Sequence, residues 1–545
     1  MGDAAILLKD VAEEEKEQQQ SPPPLITKLK ISSPLTSFPD HIFDLADSLE
    51  HLDLSGTGLT TLPPSISRLA KLKIAFFSQC GFAVFPRELA SCPALEMVAF
   101  RGNGMREIPE GSLPPNLRWL ILTNNRIRAL PRSIGSCARL QKCMLAGNEL
   151  ESLPDEMAAC RRLGLLRLSA NRLRELPRWL FTLPELAFLS FAGNPCCSPF
   201  LDVEATGTAG NSTTTTTTTA TTTTRGGDTV VSNGNESTQA HRVAEAELAR
   251  VSWTSLDVHE VLGEGASGVV SKGTWDITIE QPQPQSQQQH VAIKLFKGGV
   301  TSDGTPADEM RACIQAGSHP NLIDPLGRIH DHPSGAEGLV MQLVPARYRT
   351  LGLPPSLQSC TRDHFPATAA GLRTAQGLSI LRGIAGAAAH VHERGVAHGD
   401  LYAHNILFDD AGHALLGDFG AASTYRSHYH HHHDHHHRRH HRRYDDDASH
   451  DTKHHPQHLP HAQQHQHLEQ IEVLAFAHLI EDVWRLIRLD FEERELRVSM
   501  LLASLHRGCA TPVVADRPKF SEVHHRLCEI GEHLSEAAAA VTVTC

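Results

Sequence analysis

Aromatic residues are scarce in this sequence, and no apolar run approaches the length that crosses a membrane. Phe, Trp and Tyr make up 5% of its 545 residues, a scarcity typical of chains that contain simple or disordered segments. A membrane-spanning helix needs about 20 consecutive apolar residues, so we expect no membrane span. Residues 1–24 are acidic and rich in Gln and Pro. We expect this stretch to be disordered and to carry no secretory signal.

Paired cysteines and an excess of positive charge are also lacking. The twelve cysteines show neither a disulfide framework nor a zinc-type spacing, which favours reduced thiols and a cytoplasmic location. The net charge is −12 at pH 7, which argues against general nucleic-acid binding. Hydrophobic residues nevertheless reach 40%, enough for folded domains, and the length predicts two to four of them.

A frame of 22 or 23 residues recurs through the first half of the chain. Its first position is held by Leu49, Leu72, Leu95, Leu117, Leu140, Leu163 and Leu186. Most frames have a Pro fourteen residues later, and the later ones have an Asn eight residues later, at Asn103, Asn125, Asn148, Asn171 and Asn194. Leu25 with Pro39 fits as a degenerate first frame. This layout resembles the leucine-rich-repeat family.

The resemblance implies an α/β solenoid over residues 25–200. Each repeat offers a short strand with inward Leu side chains, the Asn binds backbone groups where the chain turns, and the Pro begins the convex segment. No single repeat buries its apolar face, so the stacking of neighbours supplies the core.

The strand positions that face the concave side of such a solenoid form an apolar row. Its members are Ile74, Phe76, Met97, Ala99, Trp119, Ile121, Met144, Leu165 and Phe188. Single exposed apolar residues are ordinary, but monomers seldom expose a large contiguous apolar patch. We expect this face to bind a protein substrate, a regulator or the chain's own catalytic domain.

Three stretches of low complexity separate or interrupt the folded parts. Residues 201–251 contain Thr runs and should form a flexible linker. A Gln-rich stretch at about 280–290 and a His-rich block at about 428–467 should loop out of the fold. The His-rich block is either an expanded disordered tract or a lid sensitive to divalent metal or pH. Residues 536–545 are expected to form a tail.

The second half contains motifs with the layout of a phosphoryl-transfer site. Asp400 is followed five residues later by Asn405, and Asp418-Phe419-Gly420 comes next. Upstream lie a glycine-rich run that begins at Gly263 and the tetrapeptide Val291-Ala292-Ile293-Lys294. In this order the motifs resemble the protein-kinase family. The sequence around them resembles the group in which a small kinase domain is fused to leucine-rich repeats.

The resemblance implies a bilobal α+β kinase-like domain over residues 252–535 that binds ATP and Mg²⁺. Asp400 is implied as the catalytic base, Lys294 as the phosphate-positioning lysine with Glu309 as its partner, and Asn405 and Asp418 as Mg²⁺ ligands. The nucleotide-binding residues implied are Gly263, Gly265, Gly268, Val270, Ala292, Lys294, Gln342 and Val344, with Met341 as gatekeeper.

Several positions depart from the family pattern. Gly399 stands where the family has the Arg that receives an activation-loop phosphate, so we expect activity without such a phosphate. Tyr402 and His404 stand where Ser/Thr kinases have Lys and tyrosine kinases have Arg, and neutral His is a weaker cation. No Ala-Pro-Glu closes the activation segment.

Two glutamates are expected to fill gaps that these departures leave. We expect Glu469 to replace the missing Glu as the partner of Arg517. We expect Glu472 to hold the backbone of the catalytic loop.

The sequence therefore predicts a multidomain protein, a solenoid followed by a kinase-like domain. Its expected activity is ATP-dependent phosphorylation of protein hydroxyls, of Ser/Thr with Tyr left open. The alternative is a nucleotide-binding pseudokinase scaffold that acts through its repeats.

Overall fold

The structure is a computed structural model, and it describes residues 26–197, 248–265, 267–279, 285–301, 303–366, 371–425, 461–488 and 493–542. Residues 1–24, nearly all of the predicted linker and the His-rich block up to residue 460 lie outside these ranges. The hypothesis of a metal- or pH-sensitive lid therefore falls on residues that the structure does not describe.

The first half forms one sheet of eight short parallel strands in chain order. The strands are β1 Lys28–Lys30, β2 His51–Asp53, β3 Ile74–Phe76, β4 Met97–Ala99, β5 Trp119–Ile121, β6 Lys142–Met144, β7 Leu165–Arg167 and β8 Phe188–Ser190. Strand β1 pairs with β2, so the degenerate first frame belongs to the sheet. The leucine-rich-repeat solenoid is confirmed.

The recurrence of Asn at one position of the later repeats has a direct structural cause. Asn148 donates to the carbonyls of Leu122 and Leu145, both at 2.9 Å, and accepts from the Ile127 N–H at 3.1 Å. One buried side chain thus satisfies backbone groups of neighbouring turns. The prolines precede the convex segments with extended backbone, as Pro131 does at φ −68°, the value that the proline ring imposes.

The convex segments are 3-10 helices rather than α-helices. They span Asp40–Leu45, Pro64–Arg68, Arg87–Ser91, Arg132–Ser136, Asp155–Ala159 and Arg178–Thr182. About five residues are left for this segment in each short repeat, too few for a stable α-helix, and the tighter 3-10 turn fits that length.

The second half begins with a six-stranded sheet. Its strands are β9 Ala249–Ser252, β10 Leu256–Glu264, β11 Gly268–Ile279, β12 Gln285–Phe296, β13 Pro325–His330 and β14 Gly338–Gln342, in the order β10-β11-β12-β14-β13-β9. Helix α1, Pro306–Ala316, follows β12. The expectation that the whole Gln-rich stretch loops out is wrong, since Ile279 pairs with Gln285. The paired strands satisfy the backbone groups there, whatever the side chains.

A mostly helical lobe follows. Its helices are α2 Thr374–Glu393, α3 His461–Leu486, α4 Glu493–Cys509 and α5 Phe520–Thr542. Short strands β15 Arg349–Thr350, β16 Val396–Ala397, β17 Ile406–Phe408, β18 Ala414–Leu416 and β19 Ser423–Thr424 carry the loops of the site. Helix α3 lies at the centre, with Phe476 fully buried. Because α3 begins at His461, the predicted insertion ends about seven residues earlier than expected.

The two halves share a hydrophobic core. Leu165 and Phe188 of the repeats are 4% and 1% exposed and lie in one buried cluster with Leu401, Tyr402 and Phe476. The C-terminal part of the predicted apolar row is therefore covered by the second half of the chain. Among the described residues, no helix has both the length and the apolar character required to cross a bilayer.

Candidate active site

The loop between β16 and β17 holds the predicted base. The Asn405 side-chain amide donates to the backbone oxygen of Asp400 at 2.9 Å and to its Oδ2 at 3.0 Å. These bonds use the Nδ2 of Asn405, so the Oδ1 is left for a cation. Asn405 thus ties the two ends of the loop together around Asp400.

Glu472 of α3 holds the backbone of this loop, as predicted. It accepts from the N–H of His398 at 3.2 Å and from the N–H of Gly399 at 2.5 Å. Its Oε2 also lies 2.6 Å from His392 Nε2. Burial alone raises the pKa of a carboxyl, but these partners hold the pKa of Glu472 below its ordinary value. The loop therefore rests on a buried carboxylate.

Lys294 and Glu309 are brought into contact across the first lobe. Lys294 lies in β12, and Glu309 lies in the first turn of α1, whose N-cap residue is Thr305. Their side chains form an ion pair and are 12% and 3% exposed. Burial favours the neutral amine, but Glu309 and Asp418 raise the pKa of Lys294 above its ordinary value. Lys294 is therefore a cation in the site.

The Asp418-Phe419-Gly420 turn lies against this pair. Asp418 has φ +53°, a left-handed conformation that is uncommon outside glycine and often marks a functional site. Its Oδ1 accepts from the Gly420 N–H at 3.1 Å, and its side chain is exposed. Phe419 is buried beside His398, with ring centroids 5.0 Å apart. The turn points a carboxylate outward and anchors itself with an aromatic ring.

The glycine-rich run forms the hairpin between β10 and β11. The Gly265 N–H donates to the Gly268 carbonyl at 2.9 Å. A side chain at Gly268 has no room, because a Cβ would lie 2.5 Å from the Leu295 carbonyl oxygen. Among the described residues, apart from the chain neighbours of each glycine, no atom lies within 4 Å of a Cβ placed at Gly263 or Gly265. The hairpin therefore leaves open space where phosphates can approach its backbone.

The remaining predicted nucleotide-binding residues lie on the adjoining strands. Val270 pairs with Lys294, and Ala292 pairs with Met341. Gln342 ends β14, with Val344 two residues beyond. The Gln342 N–H donates to the Asp324 carbonyl at 2.9 Å. The set fits ATP with Mg²⁺: a glycine hairpin, a buried lysine, and the carboxylate and amide oxygens that Mg²⁺ prefers.

A residue of the repeats, Arg167, contacts the predicted base. Arg167 Nη1 donates to the Gly399 carbonyl at 2.7 Å, and Nη2 forms an ion pair with Asp400 Oδ1. Its Nε lies 2.9 Å from Asp303 Oδ1, and the side chain is 3% exposed. Sequence reasoning missed Arg167. The available signal was a cation at the end of β7, a strand position that is apolar in β3 to β6.

Close approach of the repeats explains Gly399, which replaces the family's Arg. Gly399 has φ +74°, and a Cβ there would lie 2.5 Å from the Ala421 oxygen and 2.9 Å from the Leu189 oxygen of β8. Only glycine fits both the conformation and the space. The departure from the family pattern is thus tied to the contact between the two halves.

His404 is a stronger cation than the sequence suggested. Its Nδ1 lies 2.7 Å from Asp363 Oδ1, and its N–H donates to Asp363 Oδ2 at 2.9 Å. Burial lowers the pKa of an imidazole, but Asp363 raises the pKa of His404 above its ordinary value. Asp363 was not among the predicted site residues. Its neighbour Arg362 anchors the segment to α3 through an ion pair with Glu481 at 2.7 Å.

The predicted pairing of Glu469 with Arg517 is wrong. Glu469 Oε1 accepts from the Phe520 N–H at 2.7 Å. Arg517 instead donates to backbone carbonyls of Gln470 at 3.1 Å, Thr511 at 2.9 Å and Pro184 at 2.8 Å. Burial lowers the pKa of Arg517 to about 10. Carbonyl dipoles, one of them in the repeats, take the place of a carboxylate.

Known families match both halves of the chain. Residues 256–443 match the family described as protein tyrosine and serine/threonine kinase. Residues 115–173 and 48–69 match two leucine-rich-repeat families.

Individual relatives are distant and partial. The chain is 29% identical over 189 residues to a probable serine/threonine-protein kinase, kinY, of Dictyostelium discoideum. It is 26% identical over 210 residues to the serine/threonine-protein kinase AtPK1/AtPK6 of Arabidopsis thaliana. It is 28% identical over 179 residues to the receptor tyrosine-protein kinase erbB-4 of Mus musculus.

These matches take in 32%, 36% and 33% of this chain and span 29%, 38% and 12% of the relatives' own length. The three family matches and the geometry of the site lead to the same assignment. The chain joins a leucine-rich-repeat array to a protein-kinase domain.

Proposed function

We propose that this protein is an ATP-dependent protein kinase in which Asp400 is the catalytic base. Lys294 positions the phosphates and Glu309 positions Lys294, while Asn405 and Asp418 are the Mg²⁺ ligands. The observation that carries the proposal is the joint assembly of these groups: the Lys294–Glu309 ion pair, the outward Asp418 carboxylate and the Asn405–Asp400 hydrogen bonds.

The chemistry assigned to these residues is a transfer of the γ-phosphoryl group. The oxygen of a protein hydroxyl forms a bond to the γ-phosphorus, the bond to the β-phosphate oxygen breaks, and ADP leaves. Asp400 accepts the hydroxyl proton, which requires an ionised carboxylate. Asn405 and Asp418 would hold Mg²⁺, which would neutralise negative charge on the phosphates. Lys294, kept cationic by Glu309 and Asp418, orients the nucleotide.

We assign Ser and Thr hydroxyls as the preferred acceptors. Two of the relatives are named serine/threonine kinases and one a receptor tyrosine kinase. His404, whose pKa Asp363 raises, stands where tyrosine kinases have Arg, so Tyr hydroxyls are the alternative acceptors. Parallel assays with Ser/Thr-only and Tyr-only peptide pools test this preference.

The concave face of the repeats is assigned to the chain's own kinase domain over its C-terminal half. Leu165 and Phe188 are buried in the kinase core cluster, and Met144 packs against that cluster. The Trp119 indole N–H donates to the Cys360 sulfur. The cytoplasm is the proposed location, where buried free thiols such as Cys143 and Cys160 stay reduced.

Phosphate transfer from radiolabelled ATP with Mg²⁺ tests the activity. Asp400→Asn in the full chain should lower kcat by about 10²–10⁴-fold, the usual loss when a general base is removed. The matched control is Asp410→Asn, an aspartate whose side chain is 86% exposed, and it should keep wild-type activity. Equal, background-level transfer by wild type and Asp400→Asn, with ATP still bound, would leave the pseudokinase scaffold as the function.

A further inference from the structure

The catalytic loop has lost the cations that its family places around the base. Gly399, Tyr402 and His404 occupy those three positions, and only His404 has a cationic side chain, in its protonated form. Arg167 reaches the same loop from the repeats and contacts both Gly399 and Asp400. We propose that Arg167 is a positioning residue of the catalytic centre, an arginine that the repeat array supplies to a loop without one. This inference rests on the proposed kinase activity.

Arg167 connects the two lobes as well as the two halves of the chain. Its Nε lies 2.9 Å from Asp303, in the segment between β12 and α1, and its Nη1 donates at 2.7 Å to Gly399 in the second lobe. The guanidinium of Arg167 thus contacts both the segment that precedes α1 and the catalytic loop. Because α1 carries Glu309, these contacts bear on the position of the Lys294–Glu309 pair.

The segment that carries Asp303 is held in a defined turn. The Thr301 N–H donates to the Gly304 carbonyl at 2.9 Å, and Thr301 Oγ1 accepts from the Asp303 N–H at 3.1 Å. Thr305 then caps α1 by accepting from the Asp308 N–H at 3.2 Å. Arg167 therefore contacts a hydrogen-bonded segment that leads directly into α1, the helix that carries Glu309.

Small residues bring the two surfaces together around Arg167. A Cβ at Gly193 would lie 2.6 Å from Asp308 Oδ2, and a Cβ at Gly147 would lie 2.7 Å from the Val300 side chain. Both glycines belong to the repeats, and both partners lie next to the Asp303 turn. At Gly147, Gly193 and Gly399 the repeats and the kinase-like domain approach so closely that a side chain would clash.

The charge of Arg167 acts on the base itself. Arg167 Nη2 forms an ion pair with Asp400 Oδ1, and Nη1 donates to the carbonyl of the neighbouring Gly399 at 2.7 Å. Asp400 is thereby held by both its carboxylate and the adjacent backbone. Its side chain keeps 18% exposure, and each carboxylate oxygen has a second lone pair for an incoming hydroxyl.

The arrangement of the site indicates that Arg167 completes it and does not block it. The Lys294–Glu309 ion pair is formed and the Asp418 carboxylate points outward while Arg167 is in place. Arg167 also takes its partners from carboxylates and a carbonyl, so the arrangement needs no phosphate in the activation segment. Arg167 of the repeats thus orders the catalytic loop, the role that belongs in the family to the Arg that Gly399 replaces.

The test is the steady-state kinetics of Arg167→Gln in the full chain, with Mg²⁺–ATP and a peptide acceptor. We expect kcat to fall on the order of 10²-fold, the usual loss for one preorganised charged donor, with the KM for ATP unchanged. Arg167→Lys, which keeps the cation but not the forked geometry, should retain part of the activity.

The matched control is Arg128→Gln, an arginine of the same solenoid whose side chain is 76% exposed; it should behave as wild type. Where Arg167→Gln fails to fold, Asp303→Asn tests the contact of Arg167 with the segment before α1, and it should lower kcat. Wild-type kinetics in Arg167→Gln or in Asp303→Asn would overturn the proposal. Higher activity in Arg167→Gln would also overturn it, because Arg167 would then inhibit the site. Both results remain distinct from failure of the kinase function, which Asp400→Asn reports.

Discussion

Phe188 of the repeats stacks face to face on Tyr402 of the catalytic loop, with ring centroids 3.8 Å apart and planes 7° from parallel. The two side chains are 1% and 6% exposed. Tyr402 occupies the position at which Ser/Thr kinases have lysine, and the stacking gives an apolar ring there a physical reason. A loop position used for charge in the family here serves to join the two halves of the chain.

Truncation of Phe188 should loosen this junction. Phe188→Ala removes a buried ring from the shared core, and such a change costs about 3–5 kcal/mol of the free energy of unfolding. The measurement is denaturant unfolding followed by Trp fluorescence, combined with kinase activity. We expect both stability and activity to fall, because the catalytic loop loses its packing partner.

Phe76→Ala is the control for this prediction. Phe76 belongs to the same apolar row but is only partly buried, so its truncation should cost less free energy and leave activity unchanged. Equal losses in the two variants would mean that contact with the kinase domain contributes nothing particular at Phe188.

Acid should destabilise the protein through His478. This residue of α3 lies near Phe188, with ring centroids 6.5 Å apart, and burial together with Arg362 lowers its pKa to about 3. Between pH 6.5 and 3 the His478 imidazole is protonated in the unfolded chain but neutral in the folded chain. Stability from this group is therefore present above pH 6.5 and is lost as the pH falls, by up to about 1.4 kcal/mol per pH unit.

Denaturation midpoints at pH 7, 6 and 5 measure this slope. His478→Gln should flatten it, since glutamine does not titrate, whereas His525→Gln, at an imidazole with a 75% exposed side chain, should leave it unchanged. An identical slope in wild type and His478→Gln would show that the acid sensitivity arises elsewhere.

Catalysis should not require a phosphate in the described part of the activation segment. Ser423 is fully buried and its hydroxyl accepts from the Phe191 N–H of the repeats at 2.8 Å. The Tyr425 hydroxyl lies 2.6 Å from His392 Nδ1. We expect full activity after treatment with a broad-specificity phosphatase, compared with mock-treated protein. Activity that is lost on dephosphorylation and restored by incubation with ATP would contradict this.

The repeat array was predictable because its signal is local and repeated. Each repeat buries its Leu in the same way, and the later repeats use the same Asn for the same backbone bonds, so a spacing of 22 or 23 residues is enough to place the strands. The kinase motifs are likewise short segments whose backbone geometry serves one site. In the structure Lys294 forms the expected ion pair with Glu309, and Asn405 donates to Asp400.

Two expectations failed because backbone groups supplied the hydrogen-bond partners. Glu469 was expected from the family resemblance to pair with Arg517, but Glu469 accepts from the Phe520 N–H at the start of a helix, and backbone carbonyls accept from Arg517. The Gln-rich stretch was expected to loop out on composition alone, yet Gln285 pairs with Ile279 and continues the hairpin. Pairing supplied by a neighbouring strand overrode composition in that case.

The sequence by itself determined the two folds, the order of the catalytic motifs and the absence of cations at Gly399, Tyr402 and His404. Only the tertiary structure decided what fills that absence. Arg167 and Asp400 are 233 residues apart, and neither periodicity nor motif spacing relates positions in two separately folded units. Their contact depends on how one curved surface meets another, and that is settled by packing around Phe188 and by the glycines that allow close approach.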